Sequence, residues 1–190
     1  DLILKECDLN YEIEAQKYLN EKVITTLDAL QGARDIIAEI INENIEVRNK
    51  LRKLFENNAK IYSKVLSAKQ NDAIKFKDYF DFSELISKIP SHRTLAILRG
   101  FLEGFLKVNI EPDENEAIEI IEPFFTSKQT AAFPHLQKAI KDAYKRLLQP
   151  ALETECRTNL KQAADEEAIQ VFSENLRQLL LSAPLGNKRI

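Results

Sequence analysis

The most informative stretch of this chain is Pro90-Ser91-His92-Arg93-Thr94-Leu95-Ala96-Ile97-Leu98-Arg99-Gly100-Phe101-Leu102-Glu103-Gly104. His92, Arg93 and Arg99 crowd one short element that otherwise reads as a helix. Ser91 is a candidate N-cap, because its hydroxyl can accept from a backbone N–H two or three residues on. Leu95, Leu98 and Leu102 follow at helical spacing, and Gly104 stands where the helix should stop. Gly100 lies inside that pattern, where alanine would be worth about 1 kcal/mol more. A glycine kept there beside arginines points to close packing or to a binding surface.

Two further basic groups stand out. Arg48, Lys50, Arg52 and Lys53 fall within a single six-residue run. Arg48 and Arg52 share a helical face at i, i+4, and Lys53 sits to its side. Lys141, Lys145 and Arg146 form the other group. Phosphate contacts from such faces would be independent of base sequence and sensitive to salt. The plainer alternative is a solvated charged surface, offset in the first group by Glu46 and Glu56. The candidate nucleic-acid-binding residues are therefore Arg48, Arg52, Lys53, His92, Arg93 and Arg99.

The sequence offers no other chemistry. His92 and His135 have no Cys or carboxylate at ligand spacing, so no metal site is expected. There is no Gly-x-Ser-x-Gly motif, no histidine placed locally with Cys7 or Cys156, no phosphate loop and no dinucleotide fingerprint. Glu114, Glu116, Glu119 and Glu122 read as a solvated acidic face. Neither enzymatic activity nor a cofactor is expected.

The elements that must position the cations are mostly helical. Leu9, Ile13 and Leu19 predict a helix over 8–20. Thr25 or Thr26 can cap the next, with Leu27, Leu30, Ile37 and Ile41 inward. A third runs over 45–59 with Val47, Leu51, Leu54 and Phe55 inward, and the short connections predict a small antiparallel bundle. Residues 61–66 read as a strand, 67–72 as a turn, and 76–82 as a second strand of a possible hairpin. Leu106, Val108 and Ile110 alternate as one strand face. Asp113 caps a short helix carrying Ala117, Ile118, Ile120 and Ile121, and 127–132 is a loop. Pro134 suits the first turn of a helix reaching Leu148, which Pro150 should end or kink. Beyond it Leu152, Cys156, Leu160, Ala164, Ala168, Phe172, Leu176 and Leu180 recur every four residues. They mark a helix about 48 Å long. Cys156 reads as a buried structural thiol within that stripe. The fold class is mainly α: a multi-helix bundle with a small antiparallel β element and a long C-terminal strut helix. Three parts are expected: 1–60, a helical bundle; 61–112, a mixed segment carrying Ser-His-Arg; and 113–190, helical with the long helix.

Composition agrees. The chain has 190 residues, of which 44% are hydrophobic and 30% charged, with only 4 glycines. Those proportions suit a helical globular protein rather than a disordered one or a β-sandwich. A net charge of −3 excludes electrostatic attraction of the whole chain to nucleic acid, leaving a local patch. Nothing resembles a secretory leader or an apolar run of membrane-spanning length, so a cytoplasmic location with reduced cysteines and no membrane partner is expected. The chain starts at Asp1 and contains no methionine, so it reads as a piece of a longer protein. Leu185-Gly186-Asn187-Lys188-Arg189-Ile190 then leaves a helix and enters an apolar segment.

The Pro90 stretch, with Lys77-Asp78-Tyr79-Phe80-Asp81-Phe82-Ser83-Glu84 before it, resembles the Tex family of bacterial transcription accessory proteins. Ala29-Leu30-Gln31-Gly32-Ala33-Arg34-Asp35-Ile36-Ile37-Ala38-Glu39 matches an early family signature. Asp142-Ala143-Tyr144-Lys145-Arg146-Leu147-Leu148-Gln149-Pro150 matches a late one, continuing through Phe172, Asn175-Leu176 and Leu179-Leu180-Leu181. Where the family has glycines near the hairpin turn, Ala68 and Asp72-Ala73 stand instead. The resemblance implies nucleic-acid binding, RNA or DNA, in the service of transcription. It places this chain as the helical N-terminal and central region, ending before a ribonuclease-H-like domain. The family's helix-hairpin-helix and RNA-binding OB-fold elements would lie outside it. The implied role is a non-catalytic scaffold. The alternative is an interaction module that docks the transcription machinery through an exposed apolar helix face.

Overall fold

A computed structural model of the chain describes residues 1–127, 130–183 and 186. The fold divides into two units. The first comprises Asp1–Ile61, Leu85–Ser87 and Asn109–Cys156, and the second Tyr62–Glu84, Lys88–Val108 and Arg157–Ile190.

The first unit is helical. Helix α1 is short, Tyr11–Ala15, followed by a 3-10 turn at Gln16–Tyr18. The expected helix over 8–20 is thus cut down. Asn10 caps it late, accepting from the Glu12 and Ile13 N–H groups. Helix α2, Thr26–Glu43, starts in a capping box: the Thr25 hydroxyl accepts from Asp28 N–H and the Asp28 carboxylate accepts from Thr25 N–H. Leu30, Ile37, Ala38 and Ile41 are its buried face. Leu27, expected inward, is exposed, because it lies in the first turn and the buried stripe begins only at Leu30. Asn44 ends α2 and caps α3, Ile45–Asn58, accepting from Val47 N–H at 3.0 Å. Val47, Leu51, Leu54 and Phe55 are buried, as their spacing requires. Asp113 caps α5, Glu114–Phe125, and Pro134 stands in the first turn of α6, Phe133–Asp142.

Pro150 does not end the helix that follows. Its missing N–H and its ring would conflict with the carbonyl four residues back. The chain instead passes through a π-helical segment, Ala143–Leu148, and runs on as α7, Gln149–Leu181. A wider turn just before the proline absorbs the lost hydrogen bond without breaking the rod. Tyr144, within the π segment, is fully buried, and its hydroxyl has no hydrogen-bond partner among the described residues. The first six residues are tied down by Glu6, whose carboxylate accepts from the Thr126 hydroxyl at 2.8 Å and from Ser127 N–H at 3.1 Å. Tyr11 meets the His135 ring edge-on, with centroids 5.4 Å apart.

The second unit holds most of a three-stranded sheet, order β2-β1-β3: β1 Lys60–Val65, β2 Asp81–Leu85 and β3 Leu106–Glu111. Val65 N–H bonds Phe80 O and, at the other end of the pair, Ile86 N–H bonds Ala59 O, so β1 and β2 are antiparallel. β3 enters beside the end of β1, where Leu66 N–H bonds Phe105 O. The predicted strand over 76–82 starts late: Ile74–Tyr79 is 3-10 helical and β2 begins at Asp81. The Ser63 hydroxyl, fully buried, donates to Tyr79 O across that segment at 2.7 Å.

Helix α4, Ser91–Leu102, lies between β2 and β3 in sequence. Its N-cap is Pro90, not Ser91; Ser91 is already helical and its hydroxyl donates to the Glu167 carboxylate. Leu98 is buried but Leu102 is exposed, because Gly104, at φ +70°, stops the helix two residues later. Along α7 a four-residue step overshoots one turn by about 40°, so its apolar stripe winds around the helix. Leu152 and Ala164 are buried, whereas Phe172, Leu176 and Leu180 are exposed. Cys156 is half-buried rather than buried, and both cysteines are thiols. Parts of two expectations, positions 128–129 of the loop and positions 185 and 187–190 of the terminal segment over 185–190, lie outside the described residues.

Candidate nucleic-acid interface

In the first unit, the buried face of α3 decides where its cations go. Val47, Leu51 and Phe55 hold one side, so Arg48 and Arg52 flank the core while Lys50 and Lys53 stand farther out. Arg48 Nη1 donates to Asn42 O at 3.1 Å and to Asn42 Oδ1 at 2.9 Å. Arg52 Nε donates to Glu155 Oε1 at 2.7 Å, and its Nη1 to Asn49 Oδ1 at 2.9 Å. The Lys50 ammonium lies 4.5 Å from the Phe124 ring centroid. Lys53 is exposed and pairs with no carboxylate among the described residues. Three of these four cations therefore bind their own unit. The Lys141 group behaves alike: Lys145 pairs with Glu114 at 3.0 Å and Arg146 with Asp142 at 2.6 Å. The Asp142 hydrogen bond raises the Arg146 pKa further.

In the second unit, His92 and Arg93 occupy the exposed first turn of α4, with Arg99 two turns on. Arg93 Nη1 lies 3.2 Å from Glu84 Oε2, and Arg99 Nε 2.8 Å from Glu103 Oε1. Glu103 also takes the Lys75 ammonium. These two partners, Lys75 first, hold its carboxyl below the usual range. The paired side chains remain substantially exposed, so the ion pairs are the weak surface kind that a phosphate can exchange into.

Sequence reasoning missed a cation–aromatic set in this unit. Lys75 lies 5.0 Å from the Phe76 ring and 5.6 Å from Phe105, and Lys69 lies 5.8 Å from Phe105. Arg157 stacks 4.7 Å over Phe101. Lys75-Phe76-Lys77, with Phe101 and Phe105 at i, i+4, was the available signal, a basic stretch interleaved with aromatics. Arg48, Arg52 and Lys53 thus gather in one unit, and His92, Arg93 and Arg99 in the other.

Charge separates the units too. The first carries 14 Lys/Arg against 21 Asp/Glu, net −7, and the second 13 against 9, net +4. Among the described residues no group of three or more His, Cys, Asp or Glu could hold a metal ion, and no helix is long and apolar enough to cross a membrane.

A sequence profile of the Tex central region-like family matches residues 7–172. The chain belongs to the Tex family. It is similar to an uncharacterised protein of Neisseria meningitidis serogroup A, with 39% identity over 98% of the chain and 25% of that protein. It is likewise similar to the transcriptional accessory protein Tex of Neisseria gonorrhoeae, with 38% identity over 98% of the chain and 25% of that protein. A human relative, S1 RNA-binding domain-containing protein 1, is 29% identical over 94% of the chain and 20% of its own length. The chain spans about a quarter of the length of the curated Tex relatives it matches.

Proposed function

We propose that this chain is the non-catalytic helical scaffold of a nucleic-acid-binding transcription accessory protein. In this reading the second unit adds weak, sequence-independent phosphate contacts to those made by other parts of the longer protein. The observation that carries it is the positive balance of that unit, with His92, Arg93 and Arg99 exposed on α4. The names of the gonococcal and human relatives support transcription and RNA as the setting. The α3 cations are a poorer phosphate surface, because Arg48 and Arg52 already bind Asn42 and Glu155. The apolar side chains that α7 exposes favour a second reading, a protein-docking module.

Fluorescence anisotropy with labelled single- and double-stranded RNA and DNA, at low and moderate salt, tests the first reading. Binding should fall steeply with salt and weaken when Arg93→Glu and Arg99→Glu are combined. For a duplex, removing one cation that neutralises a phosphate should flatten the slope of log K against log salt by about 0.9. A folded chain that binds none of the four probes at low salt would sink phosphate contact by this region.

A further inference from the structure

In the second unit the sheet has a covered face and an open one. Ser63 of β1 and Leu106 and Val108 of β3 are buried, and α4 packs on that side, where Gly100 meets Leu106. Successive strand side chains alternate between faces. Tyr62 and Lys64 of β1, Ser83 of β2 and Lys107 of β3 therefore stand on the opposite face, and all four are exposed. Tyr62 keeps 36% of its surface, and its ring stacks on no other ring among the described residues.

The register puts two cations face to face. Leu66 N–H bonds Phe105 O where β1 ends and β3 begins, so in this antiparallel pair Lys64 lies directly opposite Lys107. Like charges so placed destabilise a sheet. Neither ammonium pairs with a carboxylate among the described residues, although the β1–β2 register sets Asp81 opposite Lys64 on the other side. Phe105, two residues before Lys107 on the same face, has Lys69 and Lys75 within 5.8 and 5.6 Å of its ring centre. Over 62–84 and 88–108, eight Lys and Arg stand against five Asp and Glu, so this part of the unit is positive without any help from α7. Two of those five, Glu84 and Glu103, are already taken by Arg93 and by Lys75 with Arg99.

We propose that this open sheet face binds single-stranded nucleic acid, with Tyr62 stacking on a base and Lys64 and Lys107 holding a phosphate between them. The proposal rests on the reading that the second unit contacts nucleic acid, and it adds the face and the strandedness. A phosphate between the two lysines removes the repulsion that the free sheet carries. An exposed ring beside it takes any unpaired base, because every base has a π-face. A duplex hides those faces in its own stack. The α4 cations are different: the aromatic ring on that helix, Phe101, is half-buried under Arg157, so phosphate contacts there suit duplex and single strand alike.

Fluorescence anisotropy at low salt, with labelled single strands of RNA and DNA and duplexes of the same sequences, tests this on the whole chain. The parent should bind the single strands more tightly than the duplexes. Tyr62→Ala should weaken single-strand binding about fivefold or more and leave duplex binding unchanged, while Tyr62→Phe, which keeps the ring, should bind like the parent. Lys64→Gln combined with Lys107→Gln should flatten the single-strand slope of log K against log salt by about 0.7. That double variant should also unfold no earlier than the parent, since it removes the opposed charges, so its loss of binding is not a loss of fold. Equal affinity for duplex and single strand, or an unchanged single-strand affinity in Tyr62→Ala, overturns the proposal and leaves phosphate contact through α4 standing. A loss in Tyr62→Phe as large as in Tyr62→Ala overturns the stacking. A folded chain that binds no probe overturns this proposal together with the reading beneath it.

Discussion

A Cβ placed on Gly100 would lie 2.5 Å from Leu106 Cδ1 and 2.9 Å from its Cγ. Phe76 Cδ1 stands 3.3 Å away on the same side. The glycine inside α4 is therefore a packing device that lets β3 approach the helix. Leu106 is almost fully buried and has nowhere to retreat. Gly100→Ala should lower stability by about 1–2 kcal/mol, because overpacking outweighs the helix propensity gained. Urea unfolding followed by circular dichroism should show the midpoint fall, and an unchanged midpoint would show that Leu106 yields freely. The contrast is Gly32→Ala, which meets open space and should stabilise by about 0.5–1 kcal/mol.

Tyr144 should be dispensable for stability at neutral pH and costly at high pH. Its hydroxyl is buried with no partner among the described residues, so Tyr144→Phe removes an uncompensated polar group. Burial, then Glu111, Glu114 and Asp113, raises its pKa above the ordinary 10.0. The unfolded chain then loses its phenol proton first, and stability falls as pH rises above that ordinary value. Tyr144→Phe should be neutral or stabilising near pH 7 and should lose less stability between about pH 9 and 11. Equal losses in both proteins would place the phenol in contact with water.

Much of this fold was legible from apolar spacing. Val47, Leu51, Leu54 and Phe55, and the alternating Leu106, Val108 and Ile110, are buried where their periods put them. What spacing could not show was the choice between competing local geometries. Pro150 reads as a stop or a kink, and the π segment before it carries the helix through. Residues 76–82 read as a strand, yet Ile74–Tyr79 is 3-10 helical and β2 begins only at Asp81. The cations fared similarly. Arg48 and Arg52 were visible as a shared face, but Glu155 lies 103 residues from Arg52 in sequence, so no local pattern reveals that the guanidinium is already taken.

That pairing carries a prediction about α3. Both the Arg52 and Glu155 side chains keep more than a third of their surface in water. The coupling between Arg52→Ala and Glu155→Ala in a double-mutant cycle should therefore be only about 0.5–1 kcal/mol, and smaller in high salt. Reversal to Arg52→Glu should cost more than truncation, since it sets two carboxylates together. Chemical denaturation of the four proteins in the cycle measures this. A coupling near zero would mean that Arg52 is free to serve a phosphate after all.

His135 should make the first unit sensitive to mild acid. Its Nδ1 is buried without a hydrogen-bond partner among the described residues, and its ring meets Tyr11. Burial foremost, then Arg34 on α2 and Lys138 on α6, lowers its pKa below the ordinary 6.5, with Glu12 on α1 opposing. The imidazole therefore keeps its neutral form to lower pH in the fold than in the unfolded chain, which takes up its proton first as pH falls. Stability is then fully present above the ordinary value of 6.5 and declines as pH drops from there toward the lower folded pKa. His135→Phe keeps an aromatic ring against Tyr11, ends the titration and removes the orphaned nitrogen. Urea midpoints at about pH 8 and pH 5 should converge for the variant relative to the parent, which loses stability on acidification through this group. If the parent loses no more than His135→Phe across that interval, the imidazole gains its proton without disturbing the packing of α1 on α6.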